Sequence, residues 1–199
     1  MTDLRTLERD SIRAFVQKAA DEGYLSGRVL DWGCGKQPYR DIVEAAGGEY
    51  VGFDRAAFPG NVSGEDMFME DLGNYQKWDT ILCNQVVQYV PIGTGIRDGL
   101  QGMLDWICSL LQWYDMAQDP PRTIQKRGHL VMTYPTNWPE VEPEDLHRFT
   151  KAGMERLLVD AGFTVVTHER RAEVYARRAG IRESQDDVLA LGYGCVARA

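Results

Sequence analysis

The run Val29-Leu30-Asp31-Trp32-Gly33-Cys34-Gly35 constrains this chain more than any other feature. Arg28 to Trp32 reads as a short buried strand. Glycines directly after a strand let the backbone bend tightly and let a ligand approach with no Cβ in the way. The segment from Tyr39 to Ala46, ended by Gly47-Gly48, reads as a helix, whose start would offer free N–H groups and a positive dipole end. A second strand, Tyr50-Val51-Gly52-Phe53-Asp54, follows, and Asp54 stands nineteen residues beyond Gly35. An acid in that place accepts two hydrogen bonds from the vicinal hydroxyls of a ribose, a charged and strongly oriented contact. A glycine turn without a ligand would leave the position of Asp54 unexplained. A dinucleotide site asks for a third Gly or Ala three residues after the second glycine, so that helix and strand close around a pyrophosphate. That position is Pro38, so a nucleoside without pyrophosphate fits better.

The rest of the chain alternates in the same way. Leu4, Leu7, Ile12, Phe15, Val16 and Ala19 share one helical face, with Asp3 as a cap. Short strands are expected near Met67-Phe68-Met69, at Asp79-Thr80-Ile81-Leu82-Cys83 and at His129 to Tyr134. Between the last two, Ile96, Leu100, Met103, Leu104, Ile107, Leu110, Leu111 and Tyr114 form a sustained helical stripe, ended by Pro120-Pro121. Thr150 caps a late helix closed by Gly162, and strands follow at Phe163 to Thr167 and within Val188 to Ala197. Strands alternating with helices predict an α/β architecture with a mostly parallel sheet covered on both faces. The last two strands have no obvious full helix between them and are expected as an antiparallel pair at one edge. A chain of 199 residues suits a single domain, 1–199, with an extended helical insertion at about 91–127.

Charge narrows the partners. The chain carries 22 basic and 30 acidic residues, a formal charge of −8, which argues against gripping a phosphate backbone. Its basic clusters, Arg122 with Lys126 and Arg127, and Arg170-Arg171 with Arg177-Arg178, are set among carboxylates and read as solvated surface. Cys34, Cys83, Cys108 and Cys195 are scattered, with no C-x-x-C pair and no His at ligand spacing, so neither a metal site nor a disulfide framework is expected. No run approaches the roughly 20 apolar residues of a membrane span. Met1-Thr2-Asp3-Leu4-Arg5 lacks the pattern of a secretory leader, so a cytoplasmic protein is the expectation.

On these motifs the chain resembles the class I S-adenosylmethionine-dependent methyltransferases. Val29 to Gly35, continued by Lys36-Gln37-Pro38-Tyr39-Arg40, is similar to their first motif, in a small bacterial-type branch where that motif runs on into Pro-Tyr. Trp78-Asp79-Thr80-Ile81-Leu82-Cys83-Asn84-Gln85-Val86-Val87 is similar to their fourth strand and its turn. Tyr134-Pro135 with Trp138-Pro139, then Glu144-Asp145-Leu146-His147-Arg148-Phe149-Thr150, resembles their Pro-rich loop and the Arg-Phe-Thr that leads into a late helix. The resemblance covers roughly residues 26–166. It implies a Rossmann-like methyltransferase fold, with a mostly parallel seven-stranded sheet, an antiparallel edge strand and helices on both faces. It also implies S-adenosyl-L-methionine as cofactor, S-adenosyl-L-homocysteine as product, and no metal. In its terms Asp31, Gly33, Cys34 and Gly35 border the methionine part and Asp54 holds the ribose. Asp71 would meet the adenine amino group with Leu72 packed on the ring, while Asn84 and Gln85 would line the pocket at the fourth strand's end. Asp71 serves equally well as a helix or turn cap. Where the family often has Glu-His this chain has Gln88-Tyr89, so no acid or base is assigned there.

Methyl transfer asks a protein to align the acceptor with the methyl carbon and sulfur, to exclude water and, where needed, to take a proton. His147, in the loop before the late helix where cofactor loops gather, is the first candidate base, since an ordinary imidazole pKa suits that task. Its other reading is a surface imidazole. Tyr134 and Asp145 are the next candidates, and Arg148 is expected to pair with a carboxylate. His129 falls at the wrong end of its strand, and His168 is expected to be exposed. No Asn/Asp-Pro-Pro-Tyr/Phe follows the fourth strand and no Pro-Cys pair occurs, which disfavours methylation of base amino groups and covalent attack on a pyrimidine. The expectation is a hydroxyl of a small-molecule or glycan acceptor. A catalytically silent binding module and an RNA- or protein-directed methyltransferase are the alternatives. Trp106 and Trp113, seven apart on the insertion, would share a radial line. They either widen its buried face or project as an acceptor lid or a homodimer contact.

Overall fold

A computed structural model describes residues 4–54, 62–63, 78–93, 99–115, 122–137, 145–175 and 188–199. In chain order its elements are α1 (Leu4–Asp21), β1 (Gly27–Trp32), α2 (Arg40–Ala45), β2 (Gly48–Asp54), β3 (Val62–Ser63), β4 (Thr80–Asn84), a 3₁₀ turn (Val87–Tyr89) and α3 (Gly99–Leu111). There follow β5 (Gln112–Asp115), β6 (Arg122–Arg127), β7 (His129–Pro135), α4 (Lys151–Asp160), β8 (Thr164–Tyr175) and β9 (Val188–Arg198). No described helix is long and apolar enough to cross a membrane.

The main sheet has the order β3-β2-β1-β4-β7-β9-β8. β3 is only two residues long, so six strands carry the sheet. The pairings from β3 to β7 are parallel, and β9 runs antiparallel to both of its neighbours. The last two strands thus form the antiparallel pair expected at one edge, with β9, the strand of opposite sense, second from the edge. Burial explains the choice. β9 buries Ala190, Leu191, Cys195, Val196 and Ala197 and needs cover on both sides, whereas β8 keeps Thr164, Val166 and Arg170 exposed. A strand that tolerates solvent takes the edge.

Period-two alternation sends each strand's side chains to two separate apolar clusters. Val29, Leu82, Val131 and Val196 meet Ile12, Phe15, Val16 and Ala19 of α1 and Ile42 and Val43 of α2. Leu30, Ile81, Cys83, Leu130 and Met132 meet Leu100, Leu104, Ile107 and Leu111 of α3 and Met154 and Leu158 of α4. Burying each such aliphatic side chain contributes roughly 1.5–3 kcal/mol, enough to support costly polar groups at the strand ends. Thr150 caps α4 as its sequence predicts, its Oγ1 accepting from Gly153 N–H at 3.1 Å.

The insertion is not helical throughout. α3 stops at Leu111, and Gln112–Asp115 pairs antiparallel with Arg122–Arg127 as a hairpin. Two aromatic residues, Trp113 and Tyr114, follow the helix's last leucine, and strand pairing suits them better than a further helical turn. Trp106 and Trp113 therefore do not share a helical line. Trp106 is half-buried and packs edge-on against Trp32 with ring centroids 5.0 Å apart, a core contact within one chain. The side chain of Trp113, Pro120-Pro121 and the strand expected near Met67-Phe68-Met69 lie outside the described residues.

Candidate active site

The chain runs β1 to β3 outward in one direction and then returns to place β4 on the other side of β1. Ligands of open α/β sheets bind at the carboxyl ends of the strands flanking such a reversal. At the end of β1, Gly33 has φ +75°, and a Cβ there would lie 2.4 Å from Val86 Cγ2. Gly35 has φ +50°, and the space its Cβ would enter is open. Packing demands the first glycine; the second leaves a gap a ligand can fill. The N–H groups of Gly33 and Cys34 donate to Phe53 O at 2.8 and 3.1 Å, and Gly35 N–H donates to Asp54 Oδ2 at 2.9 Å. The turn is thereby stitched to the end of β2, bringing the glycines and Asp54 together as their spacing predicts. Cys34 is buried, with its Sγ 2.9 Å from where a Cβ on Gly52 would stand.

The helix follows the turn where its sequence predicts. Gln37, at φ +58°, bends the chain, with its N–H donating to Cys34 O at 2.8 Å, and α2 begins only at Arg40. The N–H groups of Ile42 and Val43 donate to Tyr39 O, so the chain itself takes up these early amides.

Asp31 shares the α1–α2 side of the sheet with Val29 and is 1% exposed. Burial pushes its pKa up to about 7, the hydrogen bond from Tyr50 opposes that rise, and the charge of Asp54 adds to it. Tyr50 is pushed upward as well, first by its own burial and then by the Asp31 charge.

At the end of β4 a polar chain crosses to β7. Gln88 Nε2 donates to Gln85 O at 3.0 Å and to Gln85 Oε1 at 3.3 Å. Gln85 Nε2 approaches Thr133 Oγ1 at 3.4 Å, and Thr133 Oγ1 donates to Asn84 Oδ1 at 3.0 Å. Gln85 holds φ +57°, an uncommon conformation for a residue with a side chain, while its N–H donates to Thr133 O at 2.9 Å. Asn84 Nδ2 and Gln88 Oε1 are buried without a partner.

The loop before α4 is tied to this chain, since Leu146 N–H donates to Gln88 O at 2.8 Å. His147 follows, half-buried rather than surface-exposed, with Nε2 buried and unpartnered and its ring 5.8 Å from that of Phe149. Asp145 forms a two-pronged pair with Arg148 at 2.5 and 2.7 Å, as expected for that arginine. Tyr134 is fully buried and shares a short 2.6 Å hydrogen bond with His168 Nε2. His168 Nδ1 lies 2.9 Å from Glu155 Oε1. The His168 side chain is only 3% exposed, which corrects the expectation of an exposed residue. On β8 it stands opposite Cys195, its ring packs edge-on against Tyr193, and it reaches Tyr134 on one side and Glu155 of α4 on the other. Burial lowers its pKa, and Glu155 partly counters that. His129 sits at the opposite strand end beside Tyr24, as its position predicts.

Asp71 and Leu72 lie outside the described residues. Sequence reasoning missed Tyr50, Thr133, Gln88 and the His168–Glu155 pair. Of these, Tyr50 had a usable signal: it lies four residues before Asp54 on one strand, hence on the same face.

A family model described as a methyltransferase domain matches residues 4–168. No curated protein matches the chain at a significant level. Among solved structures, a SAM-dependent methyltransferase from Archaeoglobus fulgidus superposes with TM-score 0.63 at 14% identity, covering 96% of this chain and 94% of that one. Magnesium protoporphyrin IX methyltransferase from Synechocystis PCC 6803 with bound SAM gives 0.58 at 16% identity, covering 100% and 84%. The 1,6-didemethyltoxoflavin-N1-methyltransferase of Burkholderia thailandensis, with 1,6-didemethyltoxoflavin and S-adenosylhomocysteine bound, gives 0.58 at 14% identity, covering 94% and 78%. These likenesses show a Rossmann-like methyltransferase fold. Since the family model spans most of the 199 residues, the chain belongs to the methyltransferase domain family.

Proposed function

We propose that this protein transfers a methyl group from S-adenosylmethionine to a hydroxyl of a small molecule, with His147 receiving the hydroxyl proton. The single observation that carries the reading is the buried, unpartnered Nε2 of His147, on a loop bonded to Gln88 in the 3₁₀ turn after β4. Nearly all buried polar atoms have partners, so one without a partner near the strand ends favours a ligand role. Tyr134 and Asp145 are weaker candidates, because His168 and Arg148 occupy their oxygens.

The residues present suit the cofactor. The open space over Gly35, the Asp54 carboxylate at the end of β2 and the orphaned Asn84 Nδ2 offer, respectively, a cradle, a partner for a ribose diol and a donor for an oxygen. Asp31, Gly33 and Cys34 would border the methionine end, with Gln85 lining the pocket beside Asn84. Asp71 and Leu72 would meet the adenine. Two of the structural neighbours hold SAM or S-adenosylhomocysteine, which supports the assignment. When bound, the cofactor supplies an electrophilic methyl carbon on a sulfonium whose sulfur leaves as a neutral thioether. The chain's own work is alignment, exclusion of water, and removal of one proton to His147 Nε2.

The test compares wild type with His147→Ala, using S-adenosylhomocysteine release with hydroxylated small molecules and S-adenosylhomocysteine binding by calorimetry. Turnover should fall about 10²- to 10⁴-fold while binding stays within twofold. Equal turnover in the two proteins would remove His147 from the chemistry.

A further inference from the structure

We infer that Gln88 reads the methyl acceptor, and that the acceptor carries a second hydroxyl beside the one that is methylated. This rests on the methyl-transfer reading above. Gln88 is 3% exposed, and its Nε2 faces two acceptors, the backbone oxygen and the Oε1 of Gln85. An amide cannot be turned over in that setting, because its oxygen would then meet two oxygens. The orientation of Gln88 is therefore determined, and Oε1 is left buried with no donor. The turn that carries it is rigid, since Gln85 is held at φ +57° and bonded to Thr133 at its backbone N–H. A preorganised, dry, unsatisfied acceptor is what a ligand's N–H or O–H would complete.

Strand order places Gln88 away from Asp54, on the side of the loop that carries His147. Asp54 and the glycine turn belong to β2 and β1, while Gln88 is bonded to Gln85, just past β4 and itself tied to Thr133 of β7, and to Leu146, directly before His147. The reacting hydroxyl has one proton. If it goes to His147 Nε2 as the new oxygen–carbon bond forms, that same hydroxyl has no hydrogen left for Gln88. Oε1 must be met by another donor. A neutral amide oxygen in a buried place suits a neutral hydroxyl; a cationic group would lose its water without gaining a counter-charge. The ligand class is a small neutral molecule with two neighbouring hydroxyls, aliphatic or aromatic.

The experiment titrates matched probes into the S-adenosylhomocysteine complex of the intact chain by calorimetry. These are cis-1,2-cyclohexanediol against cyclohexanol, and catechol against phenol. The expected result is that at least one diol binds tenfold or more tightly than its mono-alcohol, and that Gln88→Leu abolishes this advantage while S-adenosylhomocysteine affinity stays within twofold. The first pair responding alone marks an aliphatic acceptor, the second alone an aromatic one. Should Gln88→Leu fail to fold, Gln88→Met replaces it, and a crystal structure of the wild-type complex with the tighter diol should show a hydroxyl within 3.0 Å of Gln88 Oε1. Diols and mono-alcohols binding alike, or neither binding while S-adenosylhomocysteine does, overturns the inference and leaves the methyl-transfer reading standing. An advantage that persists in Gln88→Leu also overturns it. Failure of S-adenosylhomocysteine itself to bind sinks the reading on which it rests.

Discussion

Tyr50 donates its phenolic hydrogen to Asp31 Oδ2 over 2.6 Å, from one strand to its parallel neighbour, at a position where Asp31 is almost sealed from water. This one bond does not compensate for the burial, since the Asp31 carboxyl still rises to about 7. The first prediction follows from the sign of that shift. An acid titrating near 4 in the unfolded chain and near 7 in the fold binds more protons when folded. Its contribution is fully present below about pH 4 and is lost as pH rises through about 7. Asp31→Asn should therefore raise unfolding free energy at pH 8 by roughly 1–3 kcal/mol and flatten its fall between pH 5 and 8, read by urea denaturation. The same variant should bind S-adenosylmethionine more weakly than wild type at pH 8. A variant no more stable at pH 8 would show that Asp31 is comfortably ionised.

Asp54 and Gly35 test the cofactor cradle separately. Asp54→Ala should weaken S-adenosylmethionine binding by roughly 1.5–3 kcal/mol for each charged hydrogen bond lost, with the fold intact. Gly35→Val should do worse, because it strains a backbone at φ +50° and fills the open space beside it. Calorimetry decides both, and normal affinity in the valine variant would move the cofactor elsewhere.

The Tyr134–His168–Glu155 line should matter to stability more than to turnover. Tyr134→Phe leaves His168 Nε2 buried without its partner and should cost about 1–3 kcal/mol in urea denaturation. Turnover at saturating substrate should stay within about threefold. Because burial depresses the His168 pKa, the folded state resists protonation there. Its stabilising share is present above the ordinary imidazole value of about 6.5 and is lost as pH falls below it. A large loss of turnover in Tyr134→Phe would return Tyr134 to the list of candidate bases.

Glu8 and Arg171 form a buried pair at 3.0 Å between α1 and β8, with Arg171 Nε also donating to Tyr193 O at 3.1 Å. Arg171→Ala should destabilise by about 3–5 kcal/mol, because Glu8 is left buried without its partner. The double variant Glu8→Leu with Arg171→Met should recover most of that loss. Thermal and urea unfolding of the three proteins settles whether the pair or its mere packing matters.

The strand-end glycines and Asp54 were legible because their chemistry is local: a turn followed by an acid at fixed spacing. The two-faced core was legible for the same reason, since periods of 2 and 3.6 are written in neighbouring residues. What escaped reading depends on contacts between distant segments. Gln88 looks like any polar turn residue until Gln85 takes up its amide nitrogen, and His168 looks exposed until β9 turns it towards Tyr134. The position of β9 inside β8 was likewise hidden, because an antiparallel hairpin can dock on a sheet by either strand. The hairpin after Leu111 escaped because the apolar stripe runs on to Tyr114 without a break.

The inward placement of β9 also dictates an order of assembly. A ribosome emits roughly 5–20 residues each second, so β7 and β8 emerge seconds before residues 188–199 are available. In the finished sheet each of the two strands pairs with β9, which lies between them, so during that interval both lack their partner. Each offers an unpaired inner edge, the type of surface that recruits foreign strands. Zippering of Val188–Arg198 into that slot is thus the event that ends the nascent chain's exposure to misassociation, and removal of those residues should leave a species that aggregates rather than a smaller enzyme.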